Sequence, residues 1–433
     1  MTAASVQPLL APPPGARLIT AVSLGNGLEM YDFTIYSFFS VYIAAAFFPA
    51  SNPLTSLLLA VGTFGVGFLF RPIGALVLGR YADRAGRRAA MTMTIWLMAA
   101  GTAVIALCPG YATLGIAAPL VLVLGRLLQG FSAGGEVGAA TSLLLEAGGR
   151  RRGFTVSWQL ASQGAATLIG AGSGLLLTAL LPAAELATWG WRVPFLIGLL
   201  IAPVGAYIRR SIPDGHAAAS GEVPSLVMLF TMQRRLMLLA IPVVMGSTVT
   251  SYVMVYFMPS FLIRVAGLPA STSFAASVFS SVLILILAPL AGWWSDRLQV
   301  RKPLVVVTYG LAALFIVPVF AIITNRTDAI SVMLAIGLIA GLMTIGSTAA
   351  LIVVVDAFPP AVRATGFGLV YAIGVTVFGG SAQFVVTWLV ARTGSPLSAG
   401  LYVMACQLLG LATFVFIPER RTQAAPAPLA TTI

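Results

Sequence analysis

Long apolar runs, separated by short polar stretches, fill most of the 433 residues of the chain. A helix needs about 20 apolar residues to cross a hydrocarbon layer about 30 Å thick. Twelve runs reach that length, with approximate limits 18–48, 55–79, 89–108, 113–145, 153–181, 190–208, 236–264, 271–294, 303–323, 329–355, 364–391 and 397–417. The pattern therefore predicts an all-α integral membrane protein with twelve transmembrane helices, which we number as spans 1 to 12.

The positions of the basic residues predict the orientation of these spans. Hydrophobic residues make up 59% of the chain and charged residues only 8%, and the net charge is +12. Of the 24 Lys and Arg, 18 fall in the tails and in the loops that join even to odd spans. Only Arg192, Arg264, Arg326 and Arg392 fall in the other loops. This positive-inside bias places both termini in the cytoplasm and attributes the charge to topology and anionic lipid rather than to nucleic acid.

A duplicated loop indicates an internal repeat. The stretch "GRYADRAGRR" lies between spans 2 and 3, and "GWWSDRLQVRK" follows 213 residues later, with Gly79, Asp83 and Arg84 matching Gly292, Asp296 and Arg297. We therefore predict an N-terminal tail at 1–17, two six-helix halves at 18–210 and 236–417, a cytoplasmic linker at 211–235 and a tail at 418–433. Two parallel six-span repeats with a site between them are typical of a transporter that alternates access.

Five ionisable residues lie at membrane depth, where each costs about 2.5–3.5 kcal/mol on insertion scales. They are Glu29, Asp32, Arg71, Arg126 and Glu136. Helical spacing places Arg126, Gln129 and Glu136 on one face of span 4, and Asn26, Glu29, Asp32 and Tyr36 at similar spacing in span 1. A set of structural ion pairs, such as Asp32 with Arg126, is the alternative interpretation.

This group favours proton-coupled transport of an anion. Three acids face two bases, so one carboxyl group lacks an arginine, and a dry site favours its protonated form. Arginine stays charged and can hold a carboxylate of the protein or of a substrate. We expect the proton at Asp32, Glu29 or Glu136. We expect substrate contacts at Arg126, which lies near the midplane, then Arg71, together with Gln129, Asn26, Tyr36, Gln159, Gln163, Tyr252 and Tyr256.

The two tyrosines of span 7 could equally pack, and the small polar positions of spans 8 and 10, with Tyr371 and Gln383, are typical of close helix packing. At the helix ends, Asp83 can cap span 3 and pair with an arginine of its own loop or of the facing half. We predict a gating latch formed by Gly79, Asp83, Arg84, Arg87, Glu146, Asp296, Arg297, Asp356 and Arg363. The alternative is that these charges only anchor the topology.

Several motifs resemble the major facilitator superfamily and, within it, the metabolite:proton symporters, most closely the citrate and tricarboxylate symporters. They are the G-x-x-x-D-R-x-G-R-R loop, "GNGLEMYDF", "GFLFRPIGALVLGRYADRAGRR", "GRLLQGFSAGGEVG", "RGFTVSWQLASQG" and "WGWRVPF". The resemblance implies a proton symporter of a small organic anion. Met30 replaces a usual aromatic residue or glutamine, and "RLQVRK" lacks the glycine of the first loop, so the substrate stays open.

Other functions fit less well. Osmolyte carriers of betaine or proline are the main rivals. An exporting antiporter would carry Gly-x-x-x-Gly-Pro in span 5, and a sensor would carry a soluble signalling domain. We find no enzyme motif. The two cysteines, Cys108 and Cys406, and the single His216 lack metal-ligand spacing. We expect no cofactor, no metal and no nucleic acid, and a monomer in the bacterial inner (plasma) membrane.

Overall fold

The computed structural model describes residues 16–85, 87–135, 141, 144–145, 148–149, 151–199, 203, 233–325, 328–359 and 362–419. These residues form helices joined by short turns. Polar caps and prolines begin some of them. The Asn52 side chain accepts from Leu54 N ahead of Pro53, and Asp328 accepts from Ser331 N.

The first half contains five described spans and part of a sixth. They are span 1 (Ala16–Phe38 and Ser40–Phe47), span 2 (Pro53–Leu69 and Arg71–Ala85), span 3 (Arg87–Leu107), span 4 (Ala117–Ser132, then the 3₁₀ turn Ala133–Gly135), span 5 (Arg152–Leu180) and span 6, described over 193–199.

The second half contains six described spans. They are span 7 (Arg234–Ser251, the π-helical turn Tyr252–Tyr256 and Met258–Arg264), span 8 (Ala270–Ser295), span 9 (Lys302–Asn325), span 10 (Ala329–Ala357), span 11 (Arg363–Ile373, the π-helical turn Gly374–Gly379 and Gly380–Thr393) and span 12 (Leu397–Phe414). Within the described ranges, eight helices are long and apolar enough to cross a membrane, nine with the bent pair of span 1.

Spans 3 and 4 contain shorter apolar helices, Thr92–Leu107 and Ala117–Ser132. Two of the predicted spans differ from the structure. Span 1 bends by 62° between Phe38 and Ser40, and span 4 begins at Ala117 after a separate turn at Tyr111–Leu114 rather than at 113. Of residues 136–145, which the prediction placed in span 4, the structure describes 141, 144 and 145, and residues 211–232 of the predicted linker at 211–235 lie outside the described residues.

Spans 5 and 8 hold the two halves together along their length, because small residues let the backbones approach closely. A Cβ at Gly292 would lie 2.5 Å from Gly153 O, and a Cβ at Gly164 would lie 2.8 Å from Leu285 N. Farther along, a Cβ at Gly174 would collide with the Phe274 ring. We call the end of the bundle that carries Ala85, Arg152, Asp296 and Asp356 the arginine-rich end, and the other the opposite end.

Candidate functional site

A cavity lies between the two halves. From the first half it is lined by Met30, Gln159, Leu160 and Gln163; from the second half it is lined by residues of spans 7, 9, 10 and 11 that include Tyr252, Tyr256, Tyr309, Ser347 and Tyr371. The lining continues toward the arginine-rich end as far as Val354 and Phe367. Four of the predicted substrate residues, Gln159, Gln163, Tyr252 and Tyr256, therefore share one cavity.

Contacts between spans 1, 7 and 11 close the cavity toward the opposite end. Ser37 Oγ donates to Tyr256 O over 3.0 Å, and Gln383 Nε2 donates to Ser37 Oγ over 2.7 Å. Ser260 Oγ lies 2.9 Å from Ser37 O and 2.8 Å from Ser40 Oγ. All these groups are buried.

Asp32 is joined to Arg126 by a chain of three hydrogen bonds rather than by direct contact. Thr102 Oγ1 donates to Asp32 Oδ1 over 2.9 Å. Gln129 Nε2 donates to Thr102 Oγ1 over 2.9 Å, and Arg126 Nη1 donates to Gln129 Oε1 over 2.6 Å. Spans 1, 3 and 4 thereby meet at one buried polar network, which links an acid to a permanent cation.

Aromatic rings enclose Arg126. Its guanidinium carbon lies 4.4 Å from the ring centroid of Tyr36, 4.9 Å from that of Phe64 and 5.1 Å from that of Phe33. Arg126, Gln129 and Tyr36 are each 0% exposed, and Tyr36 Oη donates to Ala60 O. Such cation–π contacts stabilise a desolvated arginine. None of these three residues lines the cavity as described.

Arg71 pairs with the second acid of span 1. Its Nη2 lies 3.8 Å from Glu29 Oε1, and its guanidinium carbon lies 4.2 Å from the ring centroid of Phe68 and 4.4 Å from that of Phe33. Among the described residues, Arg71 Nε and Nη2 have no hydrogen-bond partner. The Phe68 ring packs edge-on against Tyr252 of the cavity wall at 5.7 Å. Arg71 therefore lies one aromatic layer behind the cavity.

Span 5 connects span 1 to the facing half. Asn26 Nδ2 donates to Gln159 O and to Ser162 Oγ, over 3.0 and 2.8 Å. One turn along, Gln163 Oε1 accepts from Tyr256 Oη over 3.2 Å. Asn26 thus holds span 5 in place, and Gln163 makes a direct polar link across the cavity.

The charges at the arginine-rich end join the two halves. Asp296 accepts from Gly153 N and Phe154 N over 2.6 and 2.9 Å, and its Oδ1 lies 3.6 Å from Arg301 Nη2. Asp356 pairs with Arg152 of the first half at 3.5 Å and with Arg363 at 3.6 Å. Arg297 instead lies 3.5 Å above the Trp293 ring centroid. The side chains of Gly79, Asp83, Arg84, Arg87, Glu136 and Glu146 lie outside the described part of the structure.

Sequence reasoning missed Thr102 and Tyr309. Thr102 lies in an otherwise apolar stretch of span 3, and its role depends on two other spans. Tyr309 Oη lies 3.2 Å from Ser347 Oγ on the cavity wall. An isolated polar residue in an apolar span was the available signal. Among the described residues, no cluster of His, Cys, Asp and Glu is arranged to hold a metal.

Comparisons with known proteins agree with this architecture. The family model described as Major Facilitator Superfamily matches residues 22–375. The citrate-proton symporter of Klebsiella pneumoniae is 35% identical over 97% of this chain and 96% of that protein. The alpha-ketoglutarate permease of Escherichia coli K12 is 34% identical over 85% of both chains, and the proline/betaine transporter of the same strain is 31% identical over 93% of this chain and 83% of its own.

Solved structures show the same fold at low identity. The xylose transporter XylE from E. coli superposes with a TM-score of 0.75 over 94% of this chain and 99% of that one, at 16% identity. The predicted all-helical membrane fold and the predicted family are confirmed, and the chain belongs to the Major Facilitator Superfamily.

Proposed function

We propose that the protein is a proton-coupled symporter that imports a small organic anion, a di- or tricarboxylate such as citrate, by alternating access. The observation that carries this proposal is the buried chain Asp32–Thr102–Gln129–Arg126 beside a cavity between two pseudo-symmetric halves. The 35% identity to a citrate-proton symporter over nearly the whole chain supports the substrate class.

Asp32 carries the transported proton in this mechanism. It is 7% exposed, and its carboxyl group is held by Thr102 rather than by an arginine within ion-pair distance. Burial away from water disfavours the charged form of a carboxyl group, so this site is suited to taking up a proton. Protonation removes the negative charge of Asp32. The positive charge of Arg126 is then no longer compensated by that carboxylate, so it attracts an anionic substrate more strongly.

Arg71 is the stronger candidate for direct contact with the substrate. Two of its nitrogens lack hydrogen-bond partners among the described residues, and the Phe68 ring lies between its guanidinium group and Tyr252 of the cavity wall. Arg126 is enclosed completely and acts at longer range. Gln159, Gln163, Tyr256 and Tyr309 supply hydrogen bonds to the hydroxyl and carboxylate groups of the anion.

Uptake by energised membrane vesicles tests the function. Labelled citrate, tricarballylate, 2-oxoglutarate, shikimate and betaine are offered with and without a protonophore. We expect accumulation of a polycarboxylate that the protonophore abolishes. Robust uptake of betaine instead would establish the alternative, a proton-coupled osmolyte importer, which the 31% identity to a proline/betaine transporter favours second. Efflux of the anion driven by the proton gradient would indicate an antiporter.

Asp32→Asn tests the proton site. An amide cannot carry the proton, so the variant should bind and exchange substrate but lose uphill accumulation at least tenfold. Counterflow and protonophore-sensitive uptake, measured in the same vesicles, separate the two activities. Wild-type accumulation by this variant would move the proton site to Glu29 or Glu136.

Lysine substitutions test the arginines. Lysine keeps the charge but loses the planar fork. Arg71→Lys should weaken polycarboxylate binding by more than tenfold, which corresponds to about 1.4 kcal/mol. Arg126→Lys should alter the pH dependence of transport, because it breaks the bond to Gln129 Oε1. Binding constants are measured by substrate-dependent fluorescence. A wild-type binding constant for Arg71→Lys together with a wild-type pH profile for Arg126→Lys would defeat the assignment.

The basic residues further support an orientation in the bacterial inner (plasma) membrane with both termini in the cytoplasm. The arginine-rich end is then cytoplasmic. The halves 18–210 and 236–417 would rock about the cavity as a monomer. The charges at Asp296, Asp356 and Arg363, together with Asp83 and Arg84 in the loop between spans 2 and 3, would stabilise closure of that end.

A further inference from the structure

We propose that Thr102 is a positioning residue whose hydroxyl group reverses its hydrogen bond when Asp32 gains or loses a proton, and so transmits the protonation state to Gln129 and Arg126. This inference deepens the proposed function and rests on it for the role of Asp32 in transport. It assigns to span 3 a part in coupling that neither the motifs nor the candidate residues of the sequence indicated.

The geometry around Thr102 offers its single hydroxyl proton two acceptors. Oγ1 lies 2.9 Å from Asp32 Oδ1 and 3.0 Å from Met98 O, one turn earlier in the same helix. A hydroxyl group donates once and accepts twice. It can therefore donate to only one of these oxygens at a time, and rotation about one bond moves the proton between them.

The Thr102 hydroxyl group has hydrogen-bond partners in both protonation states of Asp32. When Asp32 is a carboxylate, Thr102 donates to it and accepts from Gln129 Nε2. When Asp32 is protonated, its own O–H donates to Thr102 Oγ1, and the Thr102 proton turns to Met98 O. No heavy atom has to move, and no buried polar atom of this set is left without a partner.

The reversal changes the strength of the hydrogen bond between Gln129 and Thr102. In the carboxylate state, the Thr102 oxygen lies between the anion and the Gln129 amide, so the whole chain is polarised toward Arg126. In the protonated state, Thr102 accepts two hydrogen bonds at once, and its bond to Gln129 weakens. Because Gln129 Oε1 accepts from Arg126 Nη1, the hold on the guanidinium changes with the proton.

The surroundings of Asp32 contain few competing groups. Arg126 reaches it from span 4 through the chain, and Arg71 and Glu29 pair with each other on spans 2 and 1. Tyr31 precedes Asp32 in the chain, and the Tyr31 hydroxyl group donates to Pro194 O. From span 6, Gly198 approaches Asp32 Oδ1 with backbone only. Thr102 is therefore the hydroxyl group that the described structure places on this carboxyl group.

The test is a titration of Asp32 in the purified, reconstituted protein without substrate. The infrared band of the protonated carboxyl group is followed against pH, and the Asp32→Asn spectrum is subtracted to isolate Asp32. Thr102→Val keeps the shape and removes the donor. Since a bond to the charged form is lost, the carboxylate is disfavoured, and the midpoint should move to higher pH by about one unit.

A graded series keeps the test decisive if the valine variant folds poorly. Thr102→Ser should restore the wild-type midpoint, and Thr102→Cys, a weaker donor, should fall between serine and valine. Thr348→Val is the matched control, because Thr348 is equally buried and donates only to Thr344 O of its own helix. The pH profile of accumulation should shift with the infrared midpoint.

Two results would overturn the proposal. One is a Thr102→Val midpoint that coincides with those of the wild type and Thr348→Val. The other is a serine variant that shifts as far as valine, because only packing would then matter. Failure of the wild type to accumulate any anion would instead defeat the proposed function, and the titration without substrate would still decide the role of Thr102.

Discussion

At the scale of single residues, helical spacing identified part of the site and missed what connects it. Arg126 and Gln129 are three residues apart on one helix, so the sequence could place them together. Thr102 and Asp32 meet only because spans 1 and 3 pack, and no spacing within a span encodes that contact. The alternative interpretation, a direct ion pair of Asp32 with Arg126, does not hold in this structure, because two neutral side chains link the two residues.

Gly198 gives a prediction at this scale. A Cβ there would lie 3.1 Å from Asp32 Oδ1 and 3.2 Å from the Tyr31 ring. Gly198→Ala should therefore displace the carboxyl group from Thr102 at a cost of about 1–3 kcal/mol. We expect proton-driven accumulation to fall at least fivefold while counterflow persists.

The control for this variant is Gly172→Ala in span 5. A Cβ at Gly172 meets no described atom within 4 Å, so this change should leave transport unaltered. Accumulation and counterflow of both variants are compared in the same vesicles. Equal behaviour of the two alanines would show that the space beside Asp32 is not needed.

At the scale of the elements, the irregular turns of spans 1 and 7 could not be predicted from hydrophobicity. Span 1 breaks at Phe39, and the offset of 213 residues carries that position to Tyr252, where the π-helical turn of span 7 begins. Apolar runs continue through both positions, so hydropathy shows an unbroken span. The break leaves carbonyl groups of span 1 open to partners from span 7, and π-helical turns often accompany function.

Ser260 satisfies those carbonyl groups and gives the prediction for this scale. Its Oγ lies 2.9 Å from Ser37 O and 3.1 Å from Phe38 O, so Ser260→Ala leaves them without that donor. One lost buried hydrogen bond costs about 1–3 kcal/mol. We expect the opposite end to open more often, with a fivefold or larger gain in the open population.

Spin labels on exposed positions Ser51 and Arg392, one in each half, report the distance across the opposite end. The native cysteines Cys108 and Cys406 are buried, which favours labelling at the introduced sites. Ser381→Ala is the control, because its hydroxyl group donates only within span 11. A distance distribution for Ser260→Ala that matches this control would contradict the closure role.

At the scale of the whole molecule, the sequence predicted the architecture more fully than the site. The repeated loop and the apolar runs establish two halves, since duplication and span length are properties of the chain alone. The cavity depends on how the halves face each other. It is closed at the opposite end by Ser37, Tyr256 and Gln383 and continues toward the arginine-rich end. The contacts of Asp296 with span 5 are present in the same structure in which the opposite end is closed. The role of Asp296 in gating therefore stays a prediction.

Asp296→Asn tests the latch of the arginine-rich end. Both carboxylate oxygens of Asp296 accept from Gly153 N and Phe154 N, at the first turn of span 5, where the helix dipole favours a negative charge. An asparagine keeps one acceptor but loses the charge, which costs about 1–2 kcal/mol across the two halves. The population open at that end should rise about fivefold or more, and Asp83→Asn, its repeat counterpart, should act in the same direction.

Spin labels at exposed Tyr81 and Gln299 report the distance between the two halves at the arginine-rich end. The control is Glu185→Gln, which changes an exposed acid at the opposite end. If the distances for Asp296→Asn equal those for Glu185→Gln, the carboxylate only caps span 5, and closure of this end depends on the glycine packing of spans 5 and 8.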